Sequence, residues 1–141
     1  MSELRLTARI AIAAIAILST LFTGTAASAA AADTTPPTTP LYGYAQGFYC
    51  LTLIVGVNRS TDNVTPQSQL RYEVFADGAF VGLLTDRGHV SGPWGTLQLR
   101  HAGPNTVTVQ AVDAAGNRSA PSRGAVVTGY YTPGCTPYTF G

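Results

Sequence analysis

The chain has 141 residues, which is room for one domain and excludes large and two-domain enzyme folds. All eight of its basic residues are arginine, and they stand against seven acidic ones. That near-neutral balance argues against nucleic-acid backbones and anionic lipid as partners, because both require a cationic surface.

The chain opens with Glu3, Arg5 and Arg9 ahead of the apolar run IAIAAIAILSTLF, and small residues follow to Ala32. A charged start, a short apolar centre and an A-x-A-like exit are the marks of a cleavable secretory signal peptide. Residues 1–29 are therefore expected to leave, with cleavage after Ala27-Ser28-Ala29 or as late as Ala32. The exported part loses Glu3, Arg5 and Arg9, so six arginines face Asp33, Asp62, Glu73, Asp77, Asp86 and Asp113. It contains no apolar stretch of membrane-spanning length and stops at Gly141 without a hydrophobic tail. The expected product is a released, extracellular monomer, and the lysine-free, Ala- and Arg-rich composition points to a bacterial source.

Residues 30–40 form a Pro/Thr-rich leader; its DTTPPTTP stretch reads as an extended, polyproline-like segment that does not pack. Apolar residues then alternate in short runs. Leu51, Leu53, Val55 and Val57 form one such run, and Leu70, Tyr72 and Val74 another. Phe80–Leu84 follows the Asp77-Gly78 pair, a type I′ hairpin signal. Leu97 and Leu99, then Val107, Val109 and Ala111, then Val126 and Val127 continue the pattern. With a short strand near residues 41–45, these make seven strands of period two and no helix of period 3.6. The reading is an all-β, seven-stranded antiparallel β-sandwich over residues 41–129, followed by an aromatic tail at 130–141. Leu51, Leu53, Val55, Leu70, Tyr72, Val74, Leu97, Leu99, Val107, Val109 and Ala111 are the expected inward-facing residues.

Cys50 and Cys135 are an even pair in an exported chain and read as one disulfide. Closing so long a loop is worth roughly 4 kcal/mol in the chain-entropy model.

Ser60-Thr61-Asp62-Asn63, the run Tyr72–Gly78 (YEVFADG) and Val107–Ser122 (VTVQAVDAAGNRSAPS) together resemble a bacterial secreted fibronectin type III domain. The resemblance covers residues 33–129 and implies an immunoglobulin-like sandwich whose strands alternate in direction. It places Cys50 at the start of strand two and Cys135 just past strand seven, so a bond between them would pin the tail. Two positions depart from the family pattern. Val57 stands where a strand-two Trp is usual, and Asn105 where a Tyr usually begins strand six. The resemblance therefore implies a core filled differently, with Trp94 or the terminal aromatics as the expected fillers.

The expected function is that of a secreted, non-catalytic binding or structural module that contacts an extracellular protein, with a carbohydrate-binding module using a tyrosine-rich pole as the alternative. The resemblance implies that residues 58–69, 85–94 and 113–121 form three neighbouring loops, in which Arg59, Asp62, Arg87, Trp94 and Arg118 are the candidates for recognition of an extracellular protein. At the other pole the pinned tail would gather Tyr49, Tyr130, Tyr131 and Tyr138, whose rings could stack on a polysaccharide. Sealing of the sandwich end by these rings is the favoured alternative, because Tyr42 and Tyr44 lie two apart on a strand and would share a face. No enzyme is expected. Asp86, His89 and Ser91 are near in sequence without a nucleophile motif, and Glu73 has no second carboxylate placed beside it. No metal and no cofactor are expected, since His89 and His101 lack ligand spacing and no regular oxygen-ligand loop for calcium is visible. Asn58, Asn63 and Asn117 each open an N-x-S/T triplet, which in a bacterial chain carries no glycosylation by itself.

Overall fold

The computed structural model describes residues 32–88 and 90–135. The expected signal peptide at residues 1–29, His89 and Tyr138 lie outside the described residues. Two antiparallel sheets face each other. One holds β1 (Tyr42–Gly47), β2 (Thr52–Val57) and β5 (Trp94–Gln98) in the order β1-β2-β5. The other holds β4 (Ala79–Leu84), β3 (Arg71–Ala76), β6 (Gly103–Val112) and β7 (Ala125–Gly129) in the order β4-β3-β6-β7. This is the seven-stranded sandwich expected from the alternation, in the architecture fibronectin type III domains share. The helical content of the described residues is two short 3-10 turns, and no helix there is long and apolar enough to cross a membrane.

The period of two decides which side chains meet between the sheets. Leu53, Val55 and Val57 of β2, Tyr72 and Val74 of β3, and Val107, Val109 and Ala111 of β6 have no exposed surface. Leu70, Leu84, Leu99 and Val127 complete the core, and Leu51 and Leu97 pack against it half-buried. The core is filled by Tyr72 and aliphatic side chains and not by Trp94. Tyr72 lies wholly between the sheets, with its hydroxyl accepting the Ser60 amide at 2.8 Å. Burial pushes its pKa up. Trp94 faces out, because it pairs across the ladder with Gly56, on the side of β2 opposite Val55 and Val57.

Asn105 replaces the expected corner tyrosine with a carboxamide. It is buried, and its Nδ2 donates to the carbonyls of Gly103 at 2.8 Å and His101 at 3.2 Å, which ties the β5–β6 turn to the start of β6. Asp77 and Gly78 both have positive φ, 50° and 77°, as a type I′ turn requires.

The segment VDAAGNRSAPS has a definite structural task. β7 pairs with β6 only from Gly103 to Val107, so the rest of the β6 edge needs other partners. Residues 119 and 122 supply them: the Ser119 hydroxyl accepts the Ala111 amide and the Ser122 hydroxyl accepts the Val109 amide, each at 2.9 Å. Their own amides donate to the carbonyls of Ala111 and Val109.

The leader is extended, but it packs, contrary to the sequence reading. Pro37 and Pro40 are buried, the Thr38 amide donates to the Thr61 carbonyl at 2.9 Å, and the Thr61 amide donates to the Thr38 hydroxyl at 2.8 Å. Prolines set the backbone in an extended path and so reduce the entropy lost on docking.

At the opposite end, Cys50 and Cys135 are bonded with their Cα atoms 5.2 Å apart, as the even count implied. Cys50 and Leu51 both adopt left-handed φ, 61° and 56°, which costs a non-glycine residue about 1–2 kcal/mol each. Three further contacts hold this turn. The Leu51 amide donates to the Tyr130 carbonyl, the Leu99 amide to the Leu51 carbonyl, and Gln98 Nε2 to the Cys50 carbonyl.

Val109→Asp would place an unpaired charge at the centre of the core. It is expected to abolish the cooperative thermal transition, and a variant that melts like the parent would refute the register. Replacing both cysteines by serine is expected to leave the sandwich folded but less stable by about 2–4 kcal/mol. Denaturant unfolding checks this, and an unchanged midpoint would show that the tail is held without the bond.

Candidate functional site

An apolar groove of about 340 Å³ lies on the outer face of the three-stranded sheet. Its origin is a β-bulge. Tyr42 pairs with Val57 and Tyr44 with Gly56, so Gly43 is an extra residue in β1. The bulge overturns the expectation that the two tyrosines share a face. Tyr42 turns inward onto the core, with its hydroxyl donating to the Val107 carbonyl, and burial pushes its pKa up. Tyr44 turns outward and remains 46% exposed.

Gly56 pairs with Tyr44 on one side and with Trp94 on the other. Directly opposed residues in a ladder share a face. The row Tyr44–Gly56–Trp94 therefore sets two aromatic walls about a glycine floor, roughly two strand spacings, or ~9–10 Å, apart. A Cβ on Gly56 would stand 3.4 Å from Trp94 Cβ and 3.6 Å from the Pro93 carbonyl, so any side chain there would fill the slot. Asn58 and Ser91 give the groove a polar rim. The Tyr44 hydroxyl donates to Gln46 Oε1, which fixes the ring along the strand, and paired backbone bonds between Thr85 and Trp94 hold the other wall. The sequence carried one signal for this site: glycines at 43 and 56 inside strands, where a close approach by another group is a common reason for them.

At the disulfide pole the sealing expectation is overturned. Tyr49, Tyr130 and Tyr131 are 71%, 49% and 63% exposed. Leu99 is buried at this end and Leu51 packs half-buried against the core, and a Cβ on Gly129 would lie 3.1 Å from Leu99 Cδ1 and 3.3 Å from Leu51 Cδ2. The Tyr49 and Tyr130 rings lie 5.9 Å apart and tilted by 46°, which makes a bent surface rather than a flat platform.

At the loop pole Arg59 is held by Asp86 through two hydrogen bonds, Nε to Oδ2 at 2.5 Å and Nη2 to Oδ1 at 2.8 Å. Arg118 forms a similar pair with Glu73, on β3 of the other sheet. Arg87 is exposed, and Trp94 belongs to the groove. Of the five residues singled out as loop recognition candidates, Arg87 and Trp94 line a common pocket, whereas Arg59, Arg118 and Asp62 are each engaged in separate interactions. Asp62 takes part in a separate feature: one oxygen each from Asp33, Asp62 and Asp113 lies within 4.8 Å of the others. Asp113 is buried, which works against its charge. Hydrogen bonds from the Asn117 side chain and amide and from the Gly116 and Ala115 amides outweigh this and hold its pKa below the usual value.

No family model matches the chain, and no curated protein does. Among solved structures it is similar to the Clostridium perfringens spore cortex lytic enzyme SleM, at 17% identity and a TM-score of 0.49, over 67% of this chain and 29% of that one. The chain thus spans less than a third of that enzyme's length. It is also similar to the fibronectin(III)-like modules of Clostridium thermocellum CbhA, at 17% identity and a TM-score of 0.41, over 70% of this chain and 94% of that one.

Proposed function

We propose that this protein is an exported, bacterial, non-catalytic module of fibronectin type III kind that binds polysaccharide through the Tyr44–Trp94 groove. The observation that carries this reading is the glycine floor between two aromatic walls. Sugar rings present apolar faces that stack on aromatic rings and hydroxyls that need partners at the edge, and Asn58 and Ser91 stand at that edge. Both walls are on strands, so little ordering is needed on binding. A groove open along the sheet suits a glycan chain better than an isolated sugar.

A second reading, contact with an extracellular protein, draws support from the exposed Tyr49, Tyr130 and Tyr131. Tyrosines held on a rigid turn are common anchors in protein interfaces. Their tilt suits a protein surface better than a flat sugar face.

Retention on insoluble polysaccharides and affinity electrophoresis in soluble ones separate the two. The parent protein is expected to bind at least one glycan. Tyr44→Ala is expected to weaken binding at least tenfold, about 1.4 kcal/mol, with an unchanged melting temperature. Replacing Tyr130 and Tyr131 by alanine is expected to leave glycan binding intact. No retention on any polysaccharide, or loss with the second variant but not the first, would sink the groove reading.

A further inference from the structure

We propose that Asp33, Asp62 and Asp113 hold one calcium ion where the leader meets the loop pole. The three residues come from segments far apart in sequence, which is why no ligand loop is visible there. Asp33 is on the docked leader, Asp62 follows β2, and Asp113 follows β6. One oxygen from each lies within 4.8 Å of the other two.

A second observation points to a ligand. Asp33 Oδ2 and Asp62 Oδ1 are shut away from water and accept no hydrogen bond among the described residues. The other oxygen of each is occupied: Asp33 Oδ1 accepts the Thr35 amide, and Asp62 Oδ2 accepts the Val64 and Thr65 amides. Burying a bare carboxylate oxygen is costly, and placing two beside a third buried carboxylate compounds the cost by like-charge repulsion. No basic side chain pairs with any of the three among the described residues; Arg59 and Arg118 are engaged by Asp86 and Glu73. A cation is the group that satisfies both bare oxygens and offsets the charge.

The donor set identifies its class. All the ligands are oxygens, with no His or Cys among them, which selects a hard ion. Calcium–oxygen distances of about 2.3–2.6 Å place ligands up to ~5 Å apart across the ion, whereas magnesium, at about 2.0–2.1 Å, needs a tighter octahedron. Calcium takes six to eight oxygens, so backbone carbonyls and water complete its shell in this site. Asn117 reinforces the arrangement by donating from Nδ2 to both the Asp33 carbonyl and Asp113 Oδ2.

The test is calorimetric titration of the chelator-stripped protein with calcium chloride, alongside thermal unfolding with and without about 10 mM calcium, above the ~10⁻⁴–10⁻³ M range of extracellular calcium modules. One ion per chain and a rise in melting temperature of about 5 °C or more are expected, with a smaller rise in magnesium. Asp33→Asn keeps the leader's turn acceptor and lies outside the sandwich. It is expected to melt like the parent in chelator and to lose the calcium-dependent rise. Asp62→Asn is expected to lose the rise as well. No heat and no shift in the parent would overturn the proposal, as would a full calcium response in Asp33→Asn.

Discussion

Gly56 stands between Tyr44 and Trp94 in the three-stranded sheet, and residues opposed across an antiparallel ladder share a face. The same rule that sends Leu53, Val55 and Val57 to the core sends Ile54 and Gly56 to the outside. The groove is therefore a by-product of core register: a one-residue slip in β2 would destroy both together. The bulge at Gly43 is the other half of the arrangement. Without it Tyr42 and Tyr44 would face the same way, and either the core would lose the Tyr42 ring or the groove its wall.

The two ends of the sandwich are closed by different chemistry. At the disulfide end, Leu99 is buried and Leu51 half-buried against the core while Tyr49, Tyr130 and Tyr131 stay exposed, and the covalent bond holds a turn whose backbone is unfavourable on its own. At the leader end the fastening combines hydrogen bonds between Thr38 and Thr61 with the burial of Pro37 and Pro40. A neutral, lysine-free domain has few cations with which to balance buried acids, and two of its arginines are already engaged by Asp86 and Glu73.

Much of the fold was legible because it depends on local alternation. The strand runs, the Asp77-Gly78 hairpin, the disulfide and the inward faces of β2, β3 and β6 follow from period two, turn chemistry and the cysteine count. What was not legible depended on events that alternation does not encode. A single inserted residue at Gly43 reversed the facing of Tyr44, so a ring read as packing became part of a groove. Trp94 follows a loop in the sequence, and only its pairing with Gly56 reveals that it starts β5 and which face it occupies. The carboxylate cluster is assembled by three long-range contacts, and each aspartate alone reads as an ordinary turn residue. The leader looked unpacked because its composition is that of a linker, yet Pro37 and Pro40 find burial against the domain.

The placement of the disulfide has a mechanical consequence. Cys50 and Cys135 are 85 residues apart and enclose β2 to β7 in a covalent ring. Tension applied between the chain ahead of β1 and the chain beyond Cys135 runs through the sulfur bridge and bypasses that ring. Only the leader, β1 and the short turn to Cys50 can be drawn out, and the core strands carry none of the load. The groove has one wall on each side of this boundary: Tyr44 lies on the segment that yields, Trp94 on the part that is shielded. Pulling on the chain would therefore open the groove by peeling β1 from β2 before any core strand came under strain.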